Sequence, residues 1–431
     1  MRYGNRPVSG GQIKNTGLNK NMDKTDKTVK FVSGGACAPQ GYLAAGVYCG
    51  IRRNRLKKDL ALLYSEVPAT AAAVYTRNRV KGAPLTVTKA HVDGGLISAA
   101  ICNSGIANTC CAGGKEVAEK TCELVAEALG IPAEQVAVAS TGVIGQPLDI
   151  APIAKGVPEL VKSLSRDSSP AAQAIMTTDT VEKQVAVEFV LDGKTCRIGG
   201  MAKGSGMIHP DMATMLVFLT SDVAISAEML KKALGGDVGN TFNMLSVDGD
   251  TSTNDMVLLL ANGKAGNEEI TCENDAFRTF MRALNTVNVA LCRMLAGDGE
   301  GATRLLDCTV TGAATERDAK IAAKSVVCSS LVKAAMFGAD ANWGRVLCAL
   351  GYSGAEFDPD RVGVVFRSSA GEIEVCKDGS PTDFSEEKAK KILLEKEIDI
   401  AVSLGDGEYA AEAWGCDLTY DYVKINGDYR T

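Results

Sequence analysis

The chain of 431 residues is 46% hydrophobic and 23% charged, with a formal net charge of −6. This length allows a large core in two domains or in one large domain of two halves. The negative charge argues against a nucleic-acid partner, because phosphate binding needs a basic surface, and no apolar stretch reaches the roughly 18 residues of a membrane helix.

The segments predicted in chain order alternate between helix and strand. The first 30 residues are polar, with no apolar core of a signal peptide, and predict a disordered extension over 1–30. The ordered elements predicted after it are a helix over Lys115–Ala128, a strand over Val136–Ala139, a hairpin of Gln184–Val190 and Thr195–Ile198, a buried strand over Met215–Leu219, helices over Asp275–Leu295 and Lys320–Met336, a hairpin loop over Arg367–Glu372, a last helix after Asp383, and short strands from Tyr409.

These assignments rest on local signals. Gly130 and Pro132 end the first helix, and Asp192-Gly193 suits the turn of the hairpin. The spacing of Asp383 and Glu386 suits a capping box. The mixture predicts an α+β fold with strands and helices in layers.

Histidine and cysteine limit the possible chemistry. His91 and His209 are the only histidines, so a Ser-His-Asp triad would have to use one of them, and a site of several histidines is excluded. The 14 cysteines form no C-x-x-C pair, which indicates scattered thiols in a reducing compartment, and we expect a cytoplasmic protein. Nucleotide-binding glycine motifs are absent. We therefore expect no metal and no organic cofactor.

Thr214 lies where a glycine-rich loop meets the apolar run Met215–Leu219. A hydroxyl at such a junction has fixed geometry and suits a nucleophile, although threonine is also an ordinary strand residue and spacing alone favours that interpretation. Without histidine, the hydroxyl needs another base. Cleavage between Ala213 and Thr214 would supply one, because the freed α-amine has a reference pKa of about 7.7–8.0.

Seven ordered blocks of this sequence resemble the ArgJ family, the ornithine acetyltransferases, also called glutamate N-acetyltransferases. The resemblance covers nearly the whole chain after the extension. The blocks are Lys203-Gly-Ser-Gly-Met-Ile with Met212-Ala-Thr-Met-Leu216, Ser140-Thr-Gly-Val-Ile-Gly145, Met176-Thr-Thr-Asp-Thr180, Asp248-Gly-Asp-Thr-Ser-Thr-Asn-Asp255, Gly297-Asp-Gly-Glu-Gly301, Asp340-Ala-Asn-Trp-Gly-Arg345, and Trp414-Gly-Cys-Asp417 with Ile425-Asn-Gly-Asp-Tyr-Arg-Thr431.

The resemblance implies a role for particular residues. Thr214 would be the nucleophile that first cleaves the chain after Ala213 and then carries the acetyl group, while Thr141 and Gly142 would stabilise the oxyanion. The residues implied to contact the substrate are Thr177, Lys203, Thr214, Glu300, Asn426 and Thr431. From the residues alone, a simple turn is the preferred interpretation of Ser140–Gly142, and the alternative for Glu300 is an exposed turn residue.

The implied reaction moves the acetyl group of N2-acetylornithine to glutamate in arginine biosynthesis. The implied fold is the layered one of N-terminal-nucleophile hydrolases, with an alpha chain over 31–213 and a beta chain over 214–431. The resemblance further implies a heterotetramer of two alpha and two beta chains, and it leaves open whether acetyl-CoA is a second acetyl donor.

Two other functions compete with the transferase. An N-terminal-nucleophile aminopeptidase or amidase would use the same self-cleavage but pass the acyl group to water. A metabolite-binding protein would remain a single chain, with Thr214 as a strand residue only.

Overall fold

The computed structural model describes residues 28–209, 215–405 and 407–428. Its strands are β1 (Lys30–Val32), β2 (Tyr42–Val47), β3 (Leu60–Tyr75), β4 (Leu96–Ile106), β5 (Val136–Val143), β6 (Lys183–Leu191), β7 (Lys194–Lys203), β8 (Leu216–Ser221), β9 (Leu245–Ser246), β10 (Met256–Ala261), β11 (Leu305–Ala313), β12 (Gly363–Ser368), β13 (Gly371–Lys377), β14 (Ser380–Pro381), β15 (Glu397–Ser403) and β16 (Tyr409–Cys416).

The helices alternate with these strands along the chain. They are α1 (Ala83–Asp93), α2 (Gly114–Leu129), α3 (Ile150–Lys162), α4 (Ser169–Ile175), α5 (Ala227–Val238), α6 (Asp275–Gly297), α7 (Glu316–Cys328), α8 (Ser330–Phe337), α9 (Trp343–Gly351), α10 (Glu386–Leu393) and α11 (Tyr420–Asp428). Within the three described ranges, no helix is both long and apolar enough to cross a membrane.

Two mixed sheets organise the molecule. The first has nine strands in the order β1-β6-β7-β8-β10-β3-β4-β5, with β2 also paired to β3, and the second has the order β14-β13-β12-β15-β11-β16-β9. Helix α6 packs against β6 and β7 of the first sheet and against β11 and β16 of the second. The largest apolar core therefore contains residues of both sheets, as the predicted layered α+β fold requires.

Strand β8 confirms the prediction of a buried strand after the glycine-rich loop. Val217 and Leu219 belong to the core shared with the second sheet, whereas Leu216 and Phe218 belong to the core on the opposite face. Every residue of the strand is buried. A continuous apolar run is the pattern expected of a strand covered on both faces.

The helix over α2, the helix over α6, and the hairpins β6–β7 and β12–β13 also confirm the sequence predictions. The predicted single helix over Lys320–Met336 is wrong, because Ser329 has extended backbone between α7 and α8. Its hydroxyl accepts a hydrogen bond from the Val332 N–H and caps the start of α8. Hydroxyl residues compete with helical hydrogen bonds in this way.

Two predictions near the C-terminus are also wrong. The cap of α10 is Ser385, which accepts a hydrogen bond from the Lys388 N–H, and not the predicted Asp383–Glu386 box. The strand predicted from Tyr409 is present as β16, but the chain then forms helix α11 instead of further strands. Helix α11 buries none of its residues, so its sequence carries no apolar stripe at helical spacing from which the helix could be predicted.

Gly199, in strand β7 of the first sheet, lies in close contact with the backbone of Gly35. A Cβ atom at this position would lie 2.0 Å from the carbonyl oxygen of Gly35. We expect Gly199→Ala to lower the free energy of unfolding by about 1–3 kcal/mol, the usual cost of forcing extra atoms into a packed interior. Thermal unfolding would measure this loss.

The matched control is Gly235→Ala in α5, where an added Cβ meets nothing within 4 Å. Alanine is a better helix former than glycine, so this variant should unfold at the same or a slightly higher temperature. Equal melting temperatures for the two variants would contradict the assigned contact.

Candidate active site

Residues 210–214 lie outside the described residues, and with them Ala213 and Thr214, the predicted cleavage pair. The chain on both sides of this segment is held by the stretch Thr251–Met256. Thr251 donates a hydrogen bond from its hydroxyl to the carbonyl oxygen of His209 at 2.8 Å. The Met256 N–H donates to the carbonyl oxygen of Met215 at 2.9 Å.

Thr141 and Gly142 form the end of strand β5, not a turn after a shorter strand as the sequence suggested. Gly142 has a φ of 129°, a conformation that side chains disfavour. A Cβ atom there would lie 2.2 Å from the carbonyl carbon of Gly105 on the neighbouring strand β4. Only glycine permits this approach, so a special backbone is present where the oxyanion donors are predicted.

Lys203 connects the end of β7 to the end of β5. It is the last residue of β7, its side chain is buried, and its Nζ donates to the hydroxyl oxygen of Thr141 at 3.4 Å. In the antiparallel register of β7 and β8, Lys203 lies opposite Leu216. The predicted substrate-binding lysine, the predicted oxyanion threonine and the chain just after Thr214 are therefore close together.

Asp179 links Thr177 to Gly204, the residue that follows Lys203. The Thr177 N–H donates to Oδ2 of Asp179 at 2.9 Å, and the Gly204 N–H donates to Oδ1 at 2.7 Å. Burial raises the pKa of Asp179, but the charges of Lys203 and Lys183 outweigh it and hold that pKa below its ordinary value. Asp179 is thus an anion that fixes the first residue after β7.

Lys183 is the buried centre of an ion network. Its Nζ lies 2.7 Å from Oδ1 of Asp179 and 2.5 Å from Oδ2 of Asp298. The side chains of Lys183 and Asp179 are fully buried. A buried ammonium needs such pairing, because an isolated charge in the interior is strongly unfavourable. The network joins the start of β6 to the loop after α6.

Glu300 belongs to that loop and contacts Asn426 of α11. The amide nitrogen of Asn426 donates to Oε2 of Glu300 at 2.7 Å, and the Glu300 N–H donates to the carbonyl oxygen of Ser205 at 2.8 Å. A Cβ atom at Gly206 would lie 2.4 Å from the Glu300 carboxyl carbon. Two of the predicted substrate residues are therefore in contact, beside the loop that leads to Thr214. Thr431 lies outside the described residues.

Sequence reasoning missed the charged groups that support these residues. Asp179 and Asp298 occur within two of the matched blocks, but no role was assigned to either, and no local pattern marks Lys183. Asp248 was also missed, although its carboxylate accepts hydrogen bonds from the N–H groups of Met207 and Ile208. The repeated aspartates of the block Asp248–Asp255 were the signal that could have indicated a structural role for Asp248.

Comparison with known proteins shows the family. The model of the ArgJ family matches residues 43–431. The chain belongs to the ArgJ family. This agrees with the resemblance found in the seven blocks and with the layered fold predicted from it.

Relatives in the ArgJ family match over nearly their full length. The arginine biosynthesis bifunctional protein ArgJ 1 of Clostridium acetobutylicum is 51% identical over 392 residues, which cover 90% of this chain and 96% of that protein. The arginine biosynthesis bifunctional protein ArgJ of Symbiobacterium thermophilum is 51% identical and covers 94% of this chain and 100% of that protein. A crystal structure of the ArgJ protein from Bacillus halodurans is 46% identical, covers 49% of this chain and 98% of that chain, and gives a TM-score of 0.47.

The ion network should make stability depend on pH in a specific direction. The folded pKa of Asp179 is depressed, so its stabilisation is complete above the unfolded pKa of about 3.9 and is lost as pH falls below it. Asp179→Asn should cost about 3 kcal/mol of unfolding free energy at pH 7. The difference from the wild type should shrink below about pH 4, as measured by denaturant unfolding across pH.

The exposed carboxylate Asp93, which pairs with Lys89 on the surface of α1, supplies the control. Asp93→Asn should change the unfolding free energy by well under 1 kcal/mol at every pH, because exposed pairs contribute little. A cost of Asp179→Asn that stays constant down to pH 2 would contradict the assigned ionisation.

Proposed function

We propose that this protein transfers the acetyl group of N2-acetylornithine to glutamate through an acetyl ester on Thr214, as a step of arginine biosynthesis. Its membership of the ArgJ family and the near-complete coverage of bifunctional arginine biosynthesis relatives support the reaction class. The observation that carries the proposal is the contact between Lys203 and Thr141, because Lys203 lies opposite Leu216, two residues after Thr214.

The first step is cleavage of the chain between Ala213 and Thr214. The Thr214 hydroxyl attacks the Ala213 carbonyl carbon, the peptide C–N bond breaks as an ester forms, and water hydrolyses the ester to a free Ala213 carboxyl group. The hydrogen bonds of His209 and Met215 to the stretch Thr251–Met256 support this step, because they hold both ends of the segment that must bend.

The second step makes the acetyl ester. The α-amine of Thr214 takes the hydroxyl proton, the oxygen attacks the acetyl carbonyl of acetylornithine, and ornithine leaves with a proton on its nitrogen. Thr141 and Gly142, at the end of β5, donate hydrogen bonds to the negatively charged oxygen of the intermediate. Loss of one such donor typically lowers the rate on the order of 10²–10³ fold.

Substrate recognition follows from the charges beside these groups. Lys203 supplies a cation for the substrate carboxylate, and Glu300 with Asn426 supplies a carboxylate and an amide for an ammonium group. Glutamate then attacks the acetyl ester in the third step and leaves as N-acetylglutamate. Thr177 and Thr431 complete the proposed substrate-binding set.

Several expectations from the sequence and from the resemblance remain predictions. They are the two-alpha, two-beta heterotetramer, the cytoplasmic location, the chain division at 213/214 and the use of acetyl-CoA as a second donor. Acetyl transfer from acetyl-CoA to glutamate, assayed without acetylornithine, decides the last of these directly.

The cleavage mechanism predicts two fragments in the purified protein. Intact-mass spectrometry should find one fragment ending at Ala213 and one beginning at Thr214, which co-elute under native conditions. Thr214→Ala should remain a single chain and lose transferase activity by at least about 10³-fold, because both the nucleophile and its amine are absent. A fully active wild type that is uncut would contradict the mechanism.

Acetylornithine labelled in the acetyl group separates transferase from hydrolase. We expect a labelled fragment beginning at Thr214 without glutamate, and labelled N-acetylglutamate after glutamate is added. Labelled free acetate, formed at the same rate with and without glutamate, would instead support the amidase function.

The contact of Glu300 with Asn426 predicts a binding effect. Asn426→Ala removes the amide that holds the Glu300 carboxylate, so the KM for acetylornithine should rise about tenfold with a smaller change in kcat. Lys424→Ala, an exposed neighbour on the same helix, is the control and should leave KM within twofold. Equal KM values for the two variants would exclude the proposed contact from substrate binding.

A further inference from the structure

Arg52 is a half-buried arginine at the start of an otherwise exposed basic run, Arg52-Arg53-Asn54-Arg55-Leu56-Lys57-Lys58. Arg53, Arg55 and Lys57 are exposed, as expected of a solvated surface. A guanidinium group that leaves water needs hydrogen-bond acceptors in the protein. The contacts of Arg52 therefore indicate what this side chain does.

The backbone of Arg52 is fixed to strand β4 through Asp59, whose side chain is fully buried. The Asp59 carboxylate accepts hydrogen bonds from the N–H groups of Cys49 at 2.6 Å, Gly50 at 3.2 Å and Arg52 at 3.0 Å. The Asp59 carbonyl oxygen accepts the Ser104 N–H of β4 at 2.9 Å. Hydrogen bonds to a buried carboxylate are strong, so the point from which the Arg52 side chain starts is set relative to β4.

The aliphatic part of the Arg52 side chain lies against Gly105 of β4. A Cβ atom at Gly105 would lie 2.9 Å from Cγ of Arg52, and Gly105 has a φ of 107° that side chains disfavour. In the parallel register of β4 and β5, Gly105 lies opposite Gly142. Arg52 is therefore one strand away from the predicted oxyanion residues.

The guanidinium end of Arg52 reaches Met176, the residue before Thr177. Its Nη2 donates to the Met176 carbonyl oxygen, and Met176 is the C-terminal cap of α4. Ser104 also ties the end of α4 to β4, because its hydroxyl donates to the Ala174 carbonyl oxygen at 2.5 Å. Arginine side chains often bind the last carbonyl groups of a helix, so capping of α4 is the simplest role of this contact.

Charged groups hold both sides of the peptide group between Met176 and Thr177. Arg52 donates to its carbonyl oxygen, and its N–H donates to Oδ2 of Asp179 at 2.9 Å. A peptide group is planar, so these two hydrogen bonds together fix its orientation and the direction in which the chain enters Thr177. Capping of α4 alone would not require the second contact.

Arg52 and Lys203 act on the same part of β4. Burial raises the pKa of the Cys102 thiol to about 12, and the charges of Lys203 and Arg52 oppose this rise. Lys203 in turn donates to the Thr141 hydroxyl oxygen. Both charges are therefore close to the strand that pairs with the end of β5.

We propose that Arg52 is a positioning residue that fixes Thr177 relative to the Thr141–Gly142 end of β5 and thereby strengthens substrate binding. This rests on the proposed function, in which Thr177 contacts the amino-acid substrates. Arg52 itself acts on the protein backbone and not on the substrate.

The first test is the KM of Arg52→Met, which keeps an aliphatic side chain against Gly105 and removes the donor to Met176. The KM values for acetylornithine and glutamate should each rise about tenfold, with a smaller change in kcat, because a charged hydrogen bond that orients a binding group is lost. Arg52→Lys keeps a cationic donor and should stay within about threefold of the wild-type values. Arg53→Met, the exposed neighbour in the same run, is the matched control and should stay within about twofold.

A double-mutant cycle with Thr177→Val separates action through Thr177 from a loss of stability. Thr177→Val removes the hydroxyl group that Arg52 is proposed to place, so adding Arg52→Met should then raise KM by no more than about twofold. A merely structural role would lower the amount of folded enzyme, and hence the apparent kcat, without changing KM. Arg52→Gln, which has a neutral side chain of similar length, serves the same cycle if Arg52→Met does not fold.

Several results would overturn the positioning role. They are an unchanged KM in Arg52→Met, an Arg52→Lys variant no better than Arg52→Met, and losses that multiply fully in the double variant. A rise in the KM for glutamate alone would indicate direct pairing with its side-chain carboxylate and would overturn the role as well. A wild type that transfers no acetyl group from acetylornithine to glutamate would instead overturn the proposed function, and the wild-type assay by itself distinguishes that result.

Discussion

The arrangement of the site depends on one buried ammonium group, that of Lys183. It lies between the carboxylates of Asp179 and Asp298, and the pairing joins the start of β6 to the loop after α6. Because Asp179 also accepts the Gly204 N–H, the same network sets the direction in which the chain leaves β7. A charge with no access to water tolerates little movement of its partners, so the network makes this corner of the molecule rigid.

A second set of hydrogen bonds holds the chain on either side of residues 210–214, which contain the proposed cleavage site. Asp248 binds two successive N–H groups before His209, Thr251 binds the His209 carbonyl oxygen, and Met256 binds Met215. The stretch from Asp248 to Met256, the first residue of β10, therefore contacts the chain both before and after residues 210–214. In the proposed mechanism the nucleophile first attacks its own backbone, and such a step is faster when the reacting atoms are held in position.

Glycine allows the parts of the site to approach one another. Gly142 lies against Gly105 where β5 ends, and Gly206 lies against the Glu300 carboxylate. At Gly301, a Cβ atom would lie 2.6 Å from the Tyr422 nitrogen at the start of α11. In each case the neighbour occupies the space that a side chain would need, so these glycines are part of the site although they have no functional group.

The sequence by itself determined much of the local structure and the chemical class. A continuous apolar run predicted β8, and apolar residues at helical spacing predicted α2 and α6, because the buried faces of an element need apolar side chains. Histidine scarcity and the ordered family blocks indicated a threonine nucleophile and the residues Thr141, Lys203 and Glu300. The break at Ser329, the cap at Ser385 and helix α11 were missed, because single hydroxyl groups and an exposed helix leave no periodic signal.

Only the tertiary structure decided which charged residues act together. Lys183 and Asp298 are 115 positions apart, and Lys203 and Thr141 are 62 apart, so no local spacing relates them. Residue types can be read from the sequence. The pairing of buried charges depends on the burial of the side chains and the distances between them, which are set only when the sheets have formed.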